Sequence, residues 1–378
     1  PENGKTLVST IDINIQKIAE DRLEKFEKKY GSKGSSILVM DPNNGEVLGM
    51  ANSNKYDLEH PRDEKGLLSK YSQSQINSMS EKQKVKAFNE LWKNPIVSNS
   101  FEPGSTYKPF TVAGGLEDGI LKGNEHYYCS GYKQVGKYKI HCSHREGHGN
   151  LSLSDSIAYS CNVALMDIAF KEGKDVFAKY QKDFNFGVKT GIDLPGEAET
   201  AGLLHGADQM TNVDLATSSF GQSFNCSMIQ MASSFSSLVN GGSYYKPHVV
   251  KQTRDDKGNV VSNKESELVK QTISADTSKK LRTYMEETVE KGTGKKAQIK
   301  GYSVGGKTGT AQKIPRSAGT YIVSFCGFAP VENPKVVVYV VIDEIQKDSQ
   351  LNTGLAVEMA RDVLKESLKD MNVQKTKK

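Results

Sequence analysis

Apolar residues at Ile13, Ile15, Ile18, Ala19 and Leu23 recur at helical spacing behind Asp12, which predicts an amphipathic helix over residues 12–29 capped by that aspartate. Ser36 to Met40 and Glu46 to Met50 are strand-like runs separated by Asp41-Pro-Asn-Asn-Gly45, a hairpin pattern. Residues 58–93 are polar and lysine-rich and predict a surface excursion ending in a short helix near Val85 to Trp92. Phe110 to Leu116 is apolar enough to bury a helix, whereas 121–150 has no period and predicts a loop that needs something to hold it together. Helical patterns resume at 151–181 and 222–239, the second closed by Asn240-Gly-Gly242. An exposed hairpin over 250–270 turns at Asp255 to Gly258, and a helix runs from Thr277 to Gly292. Three strand runs follow (302–312, 321–328 and 335–343), then a helix from Leu355 to Leu368.

Strands near both ends with helices between them predict an α/β (α+β) fold, in which one antiparallel sheet carries an inserted helical subdomain. The division expected is a sheet subdomain from about 1–60 and 300–370, a helical and loop subdomain over about 61–299, and a disordered basic tail at 371–378. A site is expected in the cleft between the subdomains.

Composition changes this picture little. At 378 residues, 36% hydrophobic and 25% charged, the chain has globular proportions and room for a sizeable core. The net charge of +5 is carried partly by the terminal lysines, and no basic stripe interleaves with aromatics, so nucleic acid is not an expected partner. The most apolar segment, Val336 to Ile342, has strand length rather than the length of a membrane span. No signal peptide is evident, and the abrupt opening on Pro1-Glu-Asn-Gly suggests a soluble part of something longer.

Candidate chemistry begins at Phe101 to Pro109, read Phe-Glu-Pro-Gly-Ser-Thr-Tyr-Lys-Pro. Pro103 and Gly104 force a turn, and Ser105 follows with Lys108 on the same face of a helix. A serine needs a base within reach, and a buried lysine held neutral is one. Ser130 and Lys133 repeat the spacing without a helical pattern. Ser-x-Asn occurs at Ser160-Cys-Asn162 and again at Ser223-Phe-Asn225, and Lys-Thr-Gly at Lys189 and at Lys307. Lys307-Thr-Gly-Thr310 follows Gly305-Gly306 inside a strand pattern, where an edge can offer backbone groups to an extended ligand.

Ser105-x-x-Lys108, Ser160-x-Asn162 and Lys307-Thr-Gly309 in this order form the signature of penicillin-binding proteins and class A β-lactamases. Over nearly its whole length the chain resembles the transpeptidase domain of class B penicillin-binding proteins. The supporting stretches include Thr190-Gly-Ile-Asp-Leu-Pro-Gly-Glu197, Ser219-Phe-Gly-Gln222, Gly292-Thr-Gly294 and Gly306-Lys-Thr-Gly-Thr-Ala-Gln312. The resemblance implies a five-stranded antiparallel sheet flanked by helices and an all-helical subdomain. It also implies a serine-type D-Ala-D-Ala transpeptidase that cross-links peptidoglycan stem peptides and is acylated by β-lactams. In that scheme Ser105 attacks, Lys108 takes its proton, Ser160 relays a proton to the leaving amine and Asn162 binds the donor peptide. Lys307 adds positive charge, Thr308 and Thr310 of the Lys-Thr-Gly-Thr strand hold the terminal carboxylate beside Gly309, and the N–H groups of Ser105 and Thr310 form the oxyanion hole. The parent is expected at the extracytoplasmic face of a bacterial membrane, anchored by a segment outside this chain and working with a glycosyltransferase. The alternative of another class is a β-lactam sensor ectodomain, acylated without turnover. A β-lactamase is disfavoured because position 161 is Cys and no Glu-x-x-Leu-Asn is found.

Cys129, His141, Cys142, His144, His148 and Cys161 crowd the stretch between the first two motifs. The readings open to them are free thiols, a Cys129–Cys142 disulfide, or a structural zinc. Resemblance to zinc-carrying elongation-type and sporulation-type relatives implies the ligands Cys129, Cys142, His148 and Cys161, with Asp155 and His144 as substitutes. Cys226 and Cys326 read as buried small residues.

Overall fold

The computed structural model describes residues 4–376. Its centre is a five-stranded antiparallel sheet drawn from both ends of the chain. β1 (Gly34–Met40) and β2 (Val47–Asn52) come from the first part, and β3 (Gly305–Gln312), β4 (Tyr321–Ala329) and β5 (Val336–Asp343) from the last. The order across the sheet is β3-β4-β5-β1-β2, so β3, which carries Lys307-Thr-Gly309, is an edge. The register pairs Gly305 with Phe328, Ile322 with Asp343, Val337 with Met40 and Ser36 with Asn52. The expected sheet is the one found.

Helices cover both of its faces. α1 (Ile13–Lys29), capped by the Asp12 carboxylate, belongs with the last helix to one core, where Leu23 and Val363 meet Ile37 and Val39. Leu38 and Met40 point the other way, into a core with Phe110 of α2 (Lys108–Glu117) and Phe235 of α4 (Met228–Val239). Between these two lies the long α3 (Asn162–Asp183), and α5 (Ala275–Glu290) precedes β3. α6 (Thr353–Asp370) closes the fold. A strand with two buried faces needs apolar residues at every position, which explains the unbroken run in β5.

Four expectations change. Residues 121–150 are not a structureless loop: His126–Cys129 pairs with Gly149–Ser152, and Tyr132–Val135 with Tyr138–His141. The helix expected over 151–181 is three pieces, Leu153–Ala158 and the two halves of α3, because Ser160 takes φ +59° between the first two and Gly173 takes φ +78° within α3. Residues 222–227 precede α4 as loop and a two-residue strand, Cys226–Ser227, paired with Ser100–Phe101. Of the basic tail, Lys377 and Lys378 lie outside the described residues, while the Tyr302 hydroxyl donates to the Val373 carbonyl (2.8 Å) and the Thr376 N–H to that of Gly301 (2.9 Å). Residues 373–376 are thus held against the fold. Among the described residues no helix is long and apolar enough to cross a membrane.

Candidate active site

Ser105 stands on a 3-10 turn, Gly104–Tyr107, that runs straight into α2. Three backbone segments meet here without room for side chains. Gly104 (φ +59°) donates its N–H to the Gly221 carbonyl at 2.8 Å. A Cβ on Gly104 would lie 2.5 Å from the Thr310 carbonyl oxygen, and one on Gly221 (φ +85°) 1.9 Å from that of Gly104. Glycine is required at both positions by conformation and by contact. Glu102 ties the same segment down, accepting the Ser223 N–H at 2.9 Å and pairing with Arg316 of the β3–β4 loop at 2.7 Å. Tyr107 anchors the turn from below, its ring 4.8 Å from Phe224 and 5.4 Å from Phe110. The half-buried Ser105 hydroxyl makes no hydrogen bond among the described residues.

The two lysines expected in the site converge on one hydroxyl. Lys108 Nζ donates to the Ser160 carbonyl (2.6 Å), Ser160 Oγ (3.0 Å) and Asn162 Oδ1 (2.7 Å). Lys307 Nζ reaches the same Oγ at 2.8 Å from the opposite wall. Both lysines are 0% exposed and Ser160 7%. Burial pulls the Lys108 amine down to about 8. Burial, followed by the charge of Lys108, holds Lys307 well below the usual lysine range. Two ammonium groups cannot share this dry space cheaply, so at least one is favoured as the neutral amine.

Ser160 owes its place to its left-handed backbone, which for a serine costs roughly 1–2 kcal/mol. Asn162 uses Oδ1 for Lys108 and one amide hydrogen for the His141 carbonyl (3.1 Å), leaving one amide hydrogen for a ligand.

The free edge of β3 forms the facing wall. The Gln312–Tyr321 pair exchanges no hydrogen bonds, since the Tyr321 N–H goes to Gln350 and its carbonyl accepts from Glu344. By the period of two, Thr308, Thr310 and Gln312 turn their N–H and C=O outward, as the Thr310 carbonyl beside Gly104 attests. Thr308 itself is 5% exposed, but its hydroxyl lies 2.7 Å from that of Thr293, which is exposed. Thr293 also donates its N–H to the Ala158 carbonyl (3.0 Å), two residues before Ser160. Sequence reasoning assigned Thr293 no role. The signal was the Gly292-Thr-Gly294 triplet, for a Cβ on Gly292 would lie 2.1 Å from that same carbonyl.

The other motif copies fall elsewhere. Lys133 pairs with Asp167 and Lys189 with Glu199, and the Ser223 hydroxyl contacts Thr217. The four expected metal ligands do meet: the donor atoms of Cys129, Cys142, His148 and Cys161 all lie within 4.8 Å of one another. Cys142 Sγ is 3.6 Å from His148 Nδ1 and 3.9 Å from Cys161 Sγ. Bonds of about 2.3 Å to sulfur and about 2.0–2.1 Å to nitrogen, set at tetrahedral angles, give edges of about 3.8 Å and 3.6 Å, so the donor set fits one metal ion. All five cysteines are unpaired. Asp155 is engaged by Lys291 (2.8 Å), and His144 stacks loosely on His148 with centroids 5.1 Å apart, so neither substitute joins the group. Cys161 is also the N-cap of α3, its Sγ accepting from the Ala164 N–H.

The family model described as the penicillin binding protein transpeptidase domain matches residues 35–365, from β1 into α6. The chain belongs to this family. As a transpeptidase domain it is 35% identical over its full length to Stage V sporulation protein D of Bacillus subtilis (strain 168) and covers 55% of that protein. It is 30% identical, again over its full length, to the probable peptidoglycan D,D-transpeptidase PenA of Neisseria flavescens, covering 86% of it. The transpeptidase domain superposes on penicillin binding protein 3 of Mycobacterium tuberculosis, solved in complex with aztreonam. The TM-score is 0.83 over 99% of this chain and 81% of that one, at 24% identity.

Proposed function

We propose that this chain is the catalytic domain of a peptidoglycan D,D-transpeptidase working through a serine acyl-enzyme, with Ser105 as nucleophile. The observation that carries the reading is the Ser160 hydroxyl held between two buried lysine amines beside the turn that presents Ser105. The Ser105 oxygen attacks the carbonyl of the penultimate D-alanine, and its proton passes to neutral Lys108. Collapse breaks the C–N bond, and the terminal D-alanine leaves as an amine carrying a proton delivered through Ser160. The amine of a second stem peptide then attacks the ester, gives up its proton along the same path and restores the Ser105 hydroxyl. The Ser105 and Thr310 N–H groups receive the developing oxyanion, each worth roughly a hundredfold to a thousandfold in rate. Thr308, Thr310 and the exposed Thr293 offer hydroxyls to the donor's terminal carboxylate beside Gly309. Named relatives that are peptidoglycan D,D-transpeptidases support this over the sensor alternative.

The Cys129, Cys142, His148 and Cys161 group is read as a structural zinc site. Bound zinc supplies a closed four-coordinate crosslink and no reaction step. A parent anchored at the extracytoplasmic membrane face, with a glycosyltransferase partner, fits a domain spanning little more than half of its sporulation relative.

The test is intact mass after incubation with a β-lactam, followed by peptide mapping and metal analysis of untreated protein. A stable single adduct on Ser105, absent in Ser105→Ala, is expected. Rapid drug hydrolysis would indicate a β-lactamase instead, and no adduct would remove the reading.

A further inference from the structure

A cavity of about 890 Å³ adjoins the catalytic cleft without including Ser105, Ser160 or Lys307 in its walls. It is bounded by the start of β1, the segment leading to the nucleophile and the last residues of β3. The partition from the cleft is built. Glu102 and Arg316 join across it, and Gln312 Nε2 donates to the Arg316 carbonyl at 2.7 Å. The cavity begins at the last residues of β3, Gln312 lying about 6.6 Å beyond Thr310 at two residues' rise, and runs from there across the ends of β4, β5 and β1.

The walls carry polar side chains with nothing to bond. The hydroxyls of Ser36 and Ser100, the carboxamides of Asn54, Asn99 and Asn225 and the ammonium of Lys70 line the cavity, and none makes a side-chain hydrogen bond or close ion pair among the described residues. Ser36 is only 7% exposed. Asn225 is the asparagine of the second Ser-x-Asn, and it lies beside Ser100 and the half-buried Phe101 because Ser100–Phe101 pairs with Cys226–Ser227. An extended peptide would need a run of free backbone edge, and here β3 has Gln312 alone left beyond the nucleophile turn. The available groups are instead three carboxamides that both donate and accept, two hydroxyls, one aromatic side chain and one exposed cation, Lys70. That set matches the hydroxyl and acetamido groups of sugar rings, and the cation suits a carboxylate carried on such a ring.

We propose that this cavity binds an amino-sugar oligosaccharide, the glycan part of the polymer whose stem peptides the cleft processes. The identity of the sugar rests on the transpeptidase reading, whereas the cavity and its unbonded groups do not. Held across the strand ends beyond the carboxylate site, a glycan fixes the register in which a stem peptide arrives at Ser105 and limits how freely an unattached peptide competes.

The test uses protein first acylated with a β-lactam, so that the cleft is closed, and titrates it with tetraacetylchitotetraose by calorimetry. Saturable binding is expected, weakened at least tenfold in Asn99→Ala/Asn225→Ala, while the acylation rate of that variant stays within twofold of the parent. Should the double variant fail to fold, as lost acylation would reveal, Asn99→Trp fills the cavity from an exposed position and is expected to block the sugar alone. Absence of binding, or binding unchanged by these substitutions, overturns the proposal, as does competition by a D-alanyl-D-alanine pentapeptide at the same groups. An unacylated Ser105 in the parent protein would instead strike the transpeptidase reading.

Discussion

Burial is what makes Lys108 usable as a base. Its ammonium form is disfavoured by desolvation, so the amine fraction rises as pH passes about 8. The second-order rate of β-lactam acylation is expected to climb between pH 6 and about 8.5 and then level, and a flat profile would remove Lys108 from the role. Lys108→Arg keeps a charge that cannot be shed and should lower the rate by about a hundredfold or more. Cys161 makes a second prediction at this scale. Its thiol belongs to the proposed metal-binding group while its backbone joins Ser160 to Asn162, so Cys161→Ala should lose bound metal and acylation together. Full metal content with a normal acylation rate would sink that coupling. That Lys108, Ser160 and Lys307 converge could be anticipated from the sequence because the proposed reaction asks for those residue types at those spacings. Thr293 was not, because a threonine between two glycines reads first as a helix stop and gains meaning only beside Thr308.

Among the elements, the junction of the nucleophile turn, the Gly221 loop and β3 is the tightest. Gly221→Ala combines a left-handed backbone with a 1.9 Å approach to the Gly104 carbonyl and should cost more than about 3 kcal/mol, with acylation lost. Gly136→Ala is the control, for its φ is +56° but nothing lies within 4 Å of the added carbon. It should cost about 1 kcal/mol in a thermal melt and leave acylation intact. If both variants behave alike, backbone strain rather than contact governs the junction. The break at Ser160 escaped the sequence because the apolar period continues on both sides of it, and periodicity does not register one residue in the left-handed region. The four short strands between 126 and 152 escaped for a different reason. They bury little beyond Cys129, Val135 and Leu151, so they carry little apolar alternation to read.

Across the whole molecule the legible part was the sheet, since apolar strands at both ends had to find each other to bury two faces. The stretch over 126–152 has only a small core of its own, and the proposed metal site at its cysteine and histidine donors would supply further order. Chelation is therefore expected to raise amide hydrogen exchange across residues 126–152 and at the start of α3 while β1, β4 and β5 stay protected. Uniform deprotection would show that the cluster supports the entire fold. The pair of lysines around Ser160 reaches furthest. Burial, followed by the charge of Lys108, lowers the proton affinity of Lys307, and an arriving carboxylate supplies a counter-charge that raises it. Ligand capture then draws a proton from solution, so the heat of binding an anionic, non-acylating ligand near neutral pH should change with the ionisation enthalpy of the buffer. The site would thus count protons as it fills.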